Sequence, residues 1–421
     1  FFVYKRDTHI VGLFLCNFLY ETPLAQIKEN IMKKIIDRRS AIKTIGKIAT
    51  ISFGFPFINQ GTFQLFASST NRYSAKVIDL VTENLVIDML GLLSLNGETK
   101  KRWGPDGDGI SDKDIKAFKS SGINVFHNAY GVGGKNQTDT KINVLNFVGT
   151  LNGIIANRSD VFMRIDSVKD MQKVMKNGKT GVMIGVQNAS HFISSDDVNL
   201  FYDLGQRVSQ LTYNSRNMIG NGATERMDGG ISDFGASIIK RMNEVGMAID
   251  VSHCGDQTTL DAFDISKEPV LITHSNIRSL NPNHPRCKTD EAIIKMAKAG
   301  SVMGITNVRN FVKASEPTTI EDLLDQYDYV RDLVGSEHLG VGSDIDLYGY
   351  DDMPKKEYDA LKANYKGSYA FREKIDIEGV DHPKRMFDLT EGLVRRGYSN
   401  SKIRGILGQN FKRVLTKIWK D

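Results

Sequence analysis

The chain has 421 residues, of which 40% are apolar and 25% are charged, with 38 glycines and 9 prolines. This length and composition exclude small disulfide-rich, collagen-like and largely disordered proteins. Residues 1–60 hold 9 of the 55 basic and 4 of the 50 acidic residues, so the remainder is electrically neutral and lacks the basic surface that nucleic-acid binding requires.

Residues 32–58 are typical of an export signal. Met32 opens a basic stretch that contains Arg38 and Arg39, and the mildly apolar stretch 45–58 follows. Paired arginines in that position predict twin-arginine export to the periplasm, whereas an amphipathic helix with two solvated arginines is the simpler alternative. We assign residues 1–60 to an upstream extension with this signal, and leave open whether it is cleaved or kept as an N-terminal membrane anchor.

The rest of the chain alternates short apolar runs with helical patterns. Eight runs are predicted as strands: 84–88, 123–129, 181–187, 210–213, 248–253, 269–274, 301–306 and 339–344. Helical spacing of apolar residues follows several of them, as in 233–243 and 290–299. Eight strand-then-helix units predict one (β/α)₈ TIM-like barrel over residues 61–421, with a doubly wound sheet as the alternative.

Polar side chains follow the predicted strands at the point where each strand ends. In a barrel these positions share one open face, where active sites form. They include Gln187, Tyr213, His253, His274 and Asp344.

Two histidines at successive strand ends suggest a metal site. The imidazoles of His253 and His274 could share one metal ion, and Asp344 could transfer protons to or from a metal-bound water. A lone histidine would more simply bond to a buried backbone group, but a pair at neighbouring strand ends favours a functional site.

Several sequence motifs, in a consistent order, carry a family resemblance. They are 210–217 (QLTYNSRN), 230–235 (GISDFG), 242–253 (MNEVGMAIDVSH), 269–276 (PVLITHSN), 284–286 (HPR), 340–344 (GVGSD) and 406–414 (ILGQNFKRV). Over about residues 80–420 the chain resembles the membrane dipeptidase (renal dipeptidase-like) family of zinc metallopeptidases.

The resemblance implies roles for individual residues. His253 and His274 would be zinc ligands, Arg286 would hold the terminal carboxylate of a small peptide-like substrate, and Asp344 would be the catalytic acid/base. Gln187 and Tyr213 are further candidates for substrate contact.

The chain departs from the family pattern at three ligand positions. Leu90 and Leu92 stand where the family has a His-x-Asp pair, and Gln187 stands where it has a metal-bridging Glu. Without these anions, the charges of two Zn²⁺ ions would repel each other unopposed. We therefore expect at most one zinc ion, on His253 and His274, with a metal-free pocket as the alternative.

These observations predict an exported dipeptidase-like hydrolase of dipeptides or similar molecules. The alternative is a non-catalytic or repurposed homologue that binds or tailors a peptide-like ligand in the periplasm. The sequence leaves the oligomeric state open. Of the three cysteines, Cys254 and Cys287 follow His253 and Arg286, and we expect two free thiols rather than a disulfide.

Overall fold

The computed structural model describes residues 62–64 and 72–420. Contacts divide the chain into two units, Phe1–Arg72 and Tyr73–Asp421, and the second contains the predicted site. The predicted export signal and N-terminal anchor lie outside the described residues, so the domain boundary after residue 60 stays a prediction. Within the described ranges, no helix has the length and apolar character needed to cross a membrane.

The described strands are short. They are β1 (Thr62–Gln64), β2 (Arg72–Ser74), β3 (Ile87–Asp88), β4 (Val125–Tyr130), β5 (Phe162–Arg164), β6 (Thr180–Val186), β7 (Gln206–Gln210), β8 (Ala248–Asp250), β9 (Ile272–Ser275), β10 (Met303–Ile305) and β11 (Leu339–Val341).

Helices follow most of these strands. They are α1 (Ala75–Thr82), α2 (Gly97–Trp103), α3 (Asp112–Ser120), α4 (Gln137–Asn157), α5 (Val168–Asn177), α6 (Asp196–Asp203), α7 (Asp233–Val245), α8 (Asp256–Ile265), α9 (Asp290–Lys298), α10 (Arg309–Val312), α11 (Ile320–Val334), α12 (Lys355–Ala363), α13 (Arg385–Arg395), α14 (Asn400–Arg404) and α15 (Asn410–Ile418). Gly405–Gln409 is a π-helical turn, and Ala189–His191, Ser336–His338 and Gly367–Tyr369 are 3₁₀ turns.

Eight parallel strands form the barrel in the order β3, β4, β6, β7, β8, β9, β10 and β11. β11 returns to β3 through the pair Val341–Asp88. The bridge between Asp250 and Leu271 joins β8 to β9, and Leu271 N donates to Ile249 O over 2.8 Å. The predicted (β/α)₈ barrel is therefore confirmed, because a doubly wound sheet would keep two open edges.

The predicted fourth strand was misplaced. Residues 210–213 were expected, whereas β7 covers Gln206–Gln210. Four of its five residues are polar and only Val208 is apolar, so the strand lacks the apolar run that predicts a buried strand. The three-residue strand β5, which pairs with β6 outside the barrel ring, was not predicted.

Burial on both faces explains the apolar strand sequences. Every residue of β6 is buried, as expected for a parallel strand between the barrel interior and a helix layer. On the helix side, α7 buries Ile238, Ile239 and Met242. It begins after the N-cap Ser232 and ends at Gly246, whose φ of 85° suits glycine.

Close backbone contact inside the barrel requires glycine beside β9. A Cβ atom added to Gly342 would lie 1.9 Å from Thr273 O, and one added to Gly304 would lie 2.1 Å from the same oxygen. These glycines let three strands approach at the residue that precedes His274. The interior packing therefore fixes the backbone of a predicted site residue.

We expect Gly342→Ala to lower the free energy of unfolding by about 1–3 kcal/mol, because the methyl group can be placed only by moving a backbone carbonyl. Chemical denaturation measures this loss. The control is Gly149→Ala in α4, where an added Cβ meets no atom within 4 Å. That variant should gain up to about 1 kcal/mol from helix propensity. Equal stability of the two variants would show that the contact at Thr273 is not tight.

Candidate active site

The predicted site residues meet at the carboxyl ends of the barrel strands. His253 follows β8, His274 lies in β9, and Asp344 follows β11. Arg286 lies on the connection between β9 and α9. This is the face of a parallel barrel that carries active sites.

The two histidines face each other. Their Nε2 atoms are 3.0 Å apart, and their side chains are 1% and 0% exposed. Burial, reinforced by the charge of Arg286, lowers the pKa of His253 and His274 well below the ordinary histidine value. Both imidazoles are therefore neutral near pH 7.

Hydrogen bonds indicate which ring nitrogens carry hydrogen. His253 Nδ1 lies 2.8 Å from Asn214 Oδ1, which accepts. His274 Nδ1 lies 2.8 Å from Thr273 Oγ1, and that hydroxyl donates its own hydrogen to Asp250 Oδ2. Both Nδ1 atoms therefore donate, which leaves the two Nε2 atoms, 3.0 Å apart, without hydrogen.

Arg286 is a buried cation beside this pair, with 1% exposure. Its Nη1 donates to Ser252 O, its Nη2 donates to His274 O over 3.3 Å, and the guanidinium lies 5.3 Å from the ring centre of Phe311. Its Nε–H has no hydrogen-bond partner among the described residues. Arg286 thus keeps donors that an anionic group could use.

Asp344 is a buried carboxyl in an unusual backbone conformation. Its φ is 60°, in the left-handed region that few residues other than glycine occupy. Burial raises the pKa of Asp344 to about 7, while the charge of Arg286 opposes this shift and that of Asp88 adds to it. Near neutral pH the carboxyl can accept or release a proton, as an acid/base catalyst must.

Tyrosines cover the site. Tyr213 stacks on His253 with ring centres 4.1 Å apart, and its hydroxyl lies 2.8 Å from that of Tyr365. Tyr365 and Tyr369 belong to the segment 346–381, which contains α12, and their ring centres are 4.6 Å apart. Tyr213 is therefore both a neighbour of the imidazole pair and the contact point of this covering segment.

Comparison with known proteins identifies the family. Residues 76–364 match the sequence profile of the membrane dipeptidases, peptidase family M19. This match covers more than half of the chain. The chain belongs to the membrane dipeptidase family.

Three individual relatives support this membership. Dipeptidase verJ of Clonostachys rogersoniana is 29% identical over 275 residues, which are 64% of this chain and 64% of that protein. Dipeptidase tcpJ of Claviceps purpurea (strain 20.1) is 25% identical over 275 residues, 64% of this chain and 59% of that protein. A crystal structure of an amidohydrolase from Pseudomonas aeruginosa has a TM-score of 0.69 and 29% identity, covering 82% of this chain and 99% of that chain.

The chain spans 64% and 59% of the length of the two dipeptidases. The profile match over residues 76–364 establishes the family and confirms the resemblance drawn from the sequence motifs.

The membrane dipeptidase metal centre does not fit the residues present. Leu90 and Leu92 are buried in an apolar cluster with Leu95 and Ala129. Within residues 62–64 and 72–420, no group of three or more His, Cys, Asp or Glu side chains could hold a metal ion. A catalytic zinc takes three protein ligands, so the two imidazoles leave even one such shell incomplete.

Gln187 forms hydrogen bonds with neighbouring strands at the end of β6. Its Nε2 donates to Ala129 O over 2.7 Å, and its backbone oxygen accepts from Gln210 Nε2 over 2.5 Å. Its Oε1 is buried with no partner among the residues that the structure describes. The amide therefore offers a neutral acceptor where the dipeptidase family has a carboxylate.

The structure thus brings His253, His274, Arg286 and Asp344 to one face, with Tyr213 against the imidazole pair. Their chemical roles stay predictions. Cys254 and Cys287 are buried free thiols, as expected.

Sequence reasoning missed two groups of neighbours. The tyrosines of the segment 346–381 were not predicted as site residues, because no periodic pattern marks single contacts in a loop. Arg385, which binds Asp88, lies 297 residues away from it in the sequence, and no local spacing could connect the two.

We expect Asp344→Asn to change the pH dependence of stability. The folded-state pKa of about 7 exceeds the ordinary value of 3.8, so Asp344 stabilises the fold fully below about pH 4, and this contribution is lost as pH rises through 7. The free energy of unfolding of the variant, relative to the parent, should therefore rise by about 1–3 kcal/mol between pH 5 and pH 8.

Denaturant titrations at both pH values measure this difference. The control is Asp160→Asn, because pairing with Arg158 lowers the pKa of Asp160 and places its titration below this window. If the stability difference between Asp344→Asn and the parent is the same at both pH values, Asp344 does not titrate near neutrality.

Proposed function

We propose that this protein is a dipeptidase-like hydrolase that acts on a dipeptide or another small peptide-like substrate. The observation that carries the proposal is the placement of a buried guanidinium, Arg286, beside a neutral imidazole pair and within electrostatic reach of a buried carboxyl, Asp344. Membership in a family of peptidases supports the reaction type.

Arg286 would bind the substrate through its terminal carboxylate. A guanidinium holds a carboxylate with two parallel hydrogen bonds, and burial strengthens that attraction. Because Arg286 also bonds to Ser252 O and His274 O, the bound substrate would lie against the strand ends that carry the imidazoles.

Asp344 would transfer the proton. As a carboxylate it takes a proton from the attacking water, whose oxygen bonds to the peptide carbonyl carbon. When the C–N bond breaks, the protonated carboxyl returns that proton to the leaving amine. The atoms of one water molecule are thereby shared between the product acid and the product amine, and Asp344 returns to its carboxylate form. A pKa of about 7 allows both steps at neutral pH.

A second candidate function rests on the substituted ligand positions. Leu90, Leu92 and Gln187 supply no charge, which favours a homologue that binds or tailors a peptide-like ligand without hydrolysing it. At most one zinc ion on His253 and His274 remains our prediction, and elemental analysis of the purified protein tests it directly.

Turnover of a panel of L,L- and L,D-dipeptides, with and without added zinc, tests the hydrolase. We expect kcat/KM to rise as pH rises through about 7, because the carboxylate form of Asp344 is the base. Arg286→Lys should raise KM about tenfold, since an ammonium group cannot reproduce a two-bond contact. Asp344→Asn should lower kcat by about 10²–10⁴.

Arg207→Lys is the matched control, because Arg207 donates to Tyr202 O and Asp166 O near the opposite end of the strands. Its kinetic constants should equal those of the parent. If the parent cleaves no dipeptide under either condition, the hydrolase proposal is wrong. Calorimetric binding of an uncleaved dipeptide, weakened in Arg286→Lys, would then support the second candidate.

We further propose export by the twin-arginine route, supported by Arg38 and Arg39 ahead of an apolar stretch. Replacing both by lysine should keep the protein in the cytoplasm of a bacterial host, because recognition depends on the arginine pair rather than on its charge. Cell fractionation measures the outcome. Exchanging Lys33 and Lys34 for arginine is the control and should leave export unchanged. Periplasmic recovery of the double-lysine variant would contradict this proposal.

A further inference from the structure

A buried ion pair contacts the chain on both sides of the candidate acid/base. Arg385 Nη2 donates to Asp88 Oδ2 over 2.9 Å, and the two side chains are 1% and 0% exposed. Asp88 ends β3, whereas Arg385 opens α13. Two charges removed from water are costly, so such a pair persists where its geometry serves a purpose or where each charge compensates the other.

Asp88 holds the residue that precedes Asp344. Ser343 donates to Asp88 twice, from its backbone N over 2.8 Å and from Oγ over 2.5 Å. Leu90 N also donates to Asp88, over 3.3 Å. The carboxylate thus ties the end of β3 to the chain just after β11.

Arg385 holds the residue that lies two positions after Asp344. Its Nη1 donates to Asp346 O over 2.7 Å. Asp344 N itself donates to Leu90 O over 2.9 Å. The backbone is therefore fixed before, at and after Asp344, which explains how a non-glycine residue keeps a φ of 60°.

The charges around Asp344 come from several elements. Burial and the negative charge of Asp88 raise the pKa of Asp344, while Arg286 and a hydrogen bond from Tyr350 act in the opposite direction. The other titratable groups that face it are the hydroxyls of Tyr213, Tyr365 and Tyr369. Arg385 compensates the charge of Asp88 through their ion pair.

We propose that Asp88 and Arg385 are positioning residues for Asp344: their ion pair fixes the backbone on both sides of that carboxyl, and Arg385 compensates the negative charge of Asp88. This inference rests on the proposed acid/base role of Asp344 for its kinetic consequence only. It also gives Asp88 a role that does not involve a metal, although Asp88 lies two residues before Leu90.

Carbon-13 NMR of protein labelled at aspartate carboxyls tests the charge balance, with Asp344→Asn identifying the resonance. In Arg385→Met the titration midpoint of Asp344 should rise by about one pH unit, because Asp88 loses its counter-charge. In Asp88→Asn the midpoint should fall by a similar amount. Arg207→Met, the control, should leave it unchanged.

The opposite directions of these two midpoint shifts distinguish charge compensation from a general loosening of the site. If these substitutions only let water into the site, the midpoint would fall in both variants, and that result would overturn the proposal. Should Arg385→Met not fold, the double variant Asp88→Asn with Arg385→Met removes both charges. Its midpoint should stay close to that of the parent, because the two opposite shifts offset each other, and a fall of about one pH unit would count against the proposal.

Enzyme kinetics test whether the Arg385 guanidinium positions the Asp344 carboxyl. Arg385→Lys keeps the positive charge but loses the planar fork that reaches both Asp88 and Asp346, so the NMR midpoint should stay near that of the parent. We expect kcat to fall about 10–100-fold with KM changed less than about twofold. Unchanged kcat in Arg385→Lys would show that the fork does not position Asp344. If the parent cleaves no peptide, the proposed function fails, and the NMR titration still decides this inference.

Discussion

Burial of charge at the carboxyl end of the barrel is the constraint on which this site depends. A charged group that loses water must find a partner or give up its charge. Arg286 donates to backbone carbonyl oxygens, and Asp88 forms an ion pair with Arg385. Among the described residues no cation is bonded to Asp344, and burial raises its pKa to about 7. The same desolvation that keeps the histidines neutral thus leaves one carboxyl able to exchange a proton at neutral pH.

The three substituted ligand positions are consistent with one another under this constraint. A two-zinc centre brings four positive charges, and its carboxylate ligands compensate part of them. Keeping those carboxylates without metal would bury unpaired anions beside Asp344. Leu90 and Leu92 instead pack in an apolar cluster, and Gln187 bonds to a backbone carbonyl. The three substitutions remove the carboxylates together with the zinc ions that would compensate them. These three positions therefore bury no unpaired anion.

How far the sequence predicted this structure depended on whether a signal was local. Alternating apolar runs and helical spacing predicted the barrel, and the strand ends placed His253, His274 and Asp344 on one face because parallel strands end together. The polar strand Gln206–Gln210 gave no apolar signal and was misplaced. Arg385 joins the site through a contact made only in the folded chain, since 297 residues separate it from Asp88.

Two aspartates of the same site show how environment separates roles. Asp88 accepts hydrogen bonds from Leu90 and Ser343 and an ion pair from Arg385, so its oxygens are fully used in holding strand ends together. Asp344 shares its burial but bonds mainly through its backbone N–H, and its carboxyl faces Arg286 and tyrosine hydroxyls. When the environments of two neighbouring carboxyls differ in this way, the one with fewer hydrogen bonds is suited to proton transfer and the one bonded through both oxygens to support. The fixed negative charge of Asp88 then helps to hold the pKa of Asp344 above its ordinary value.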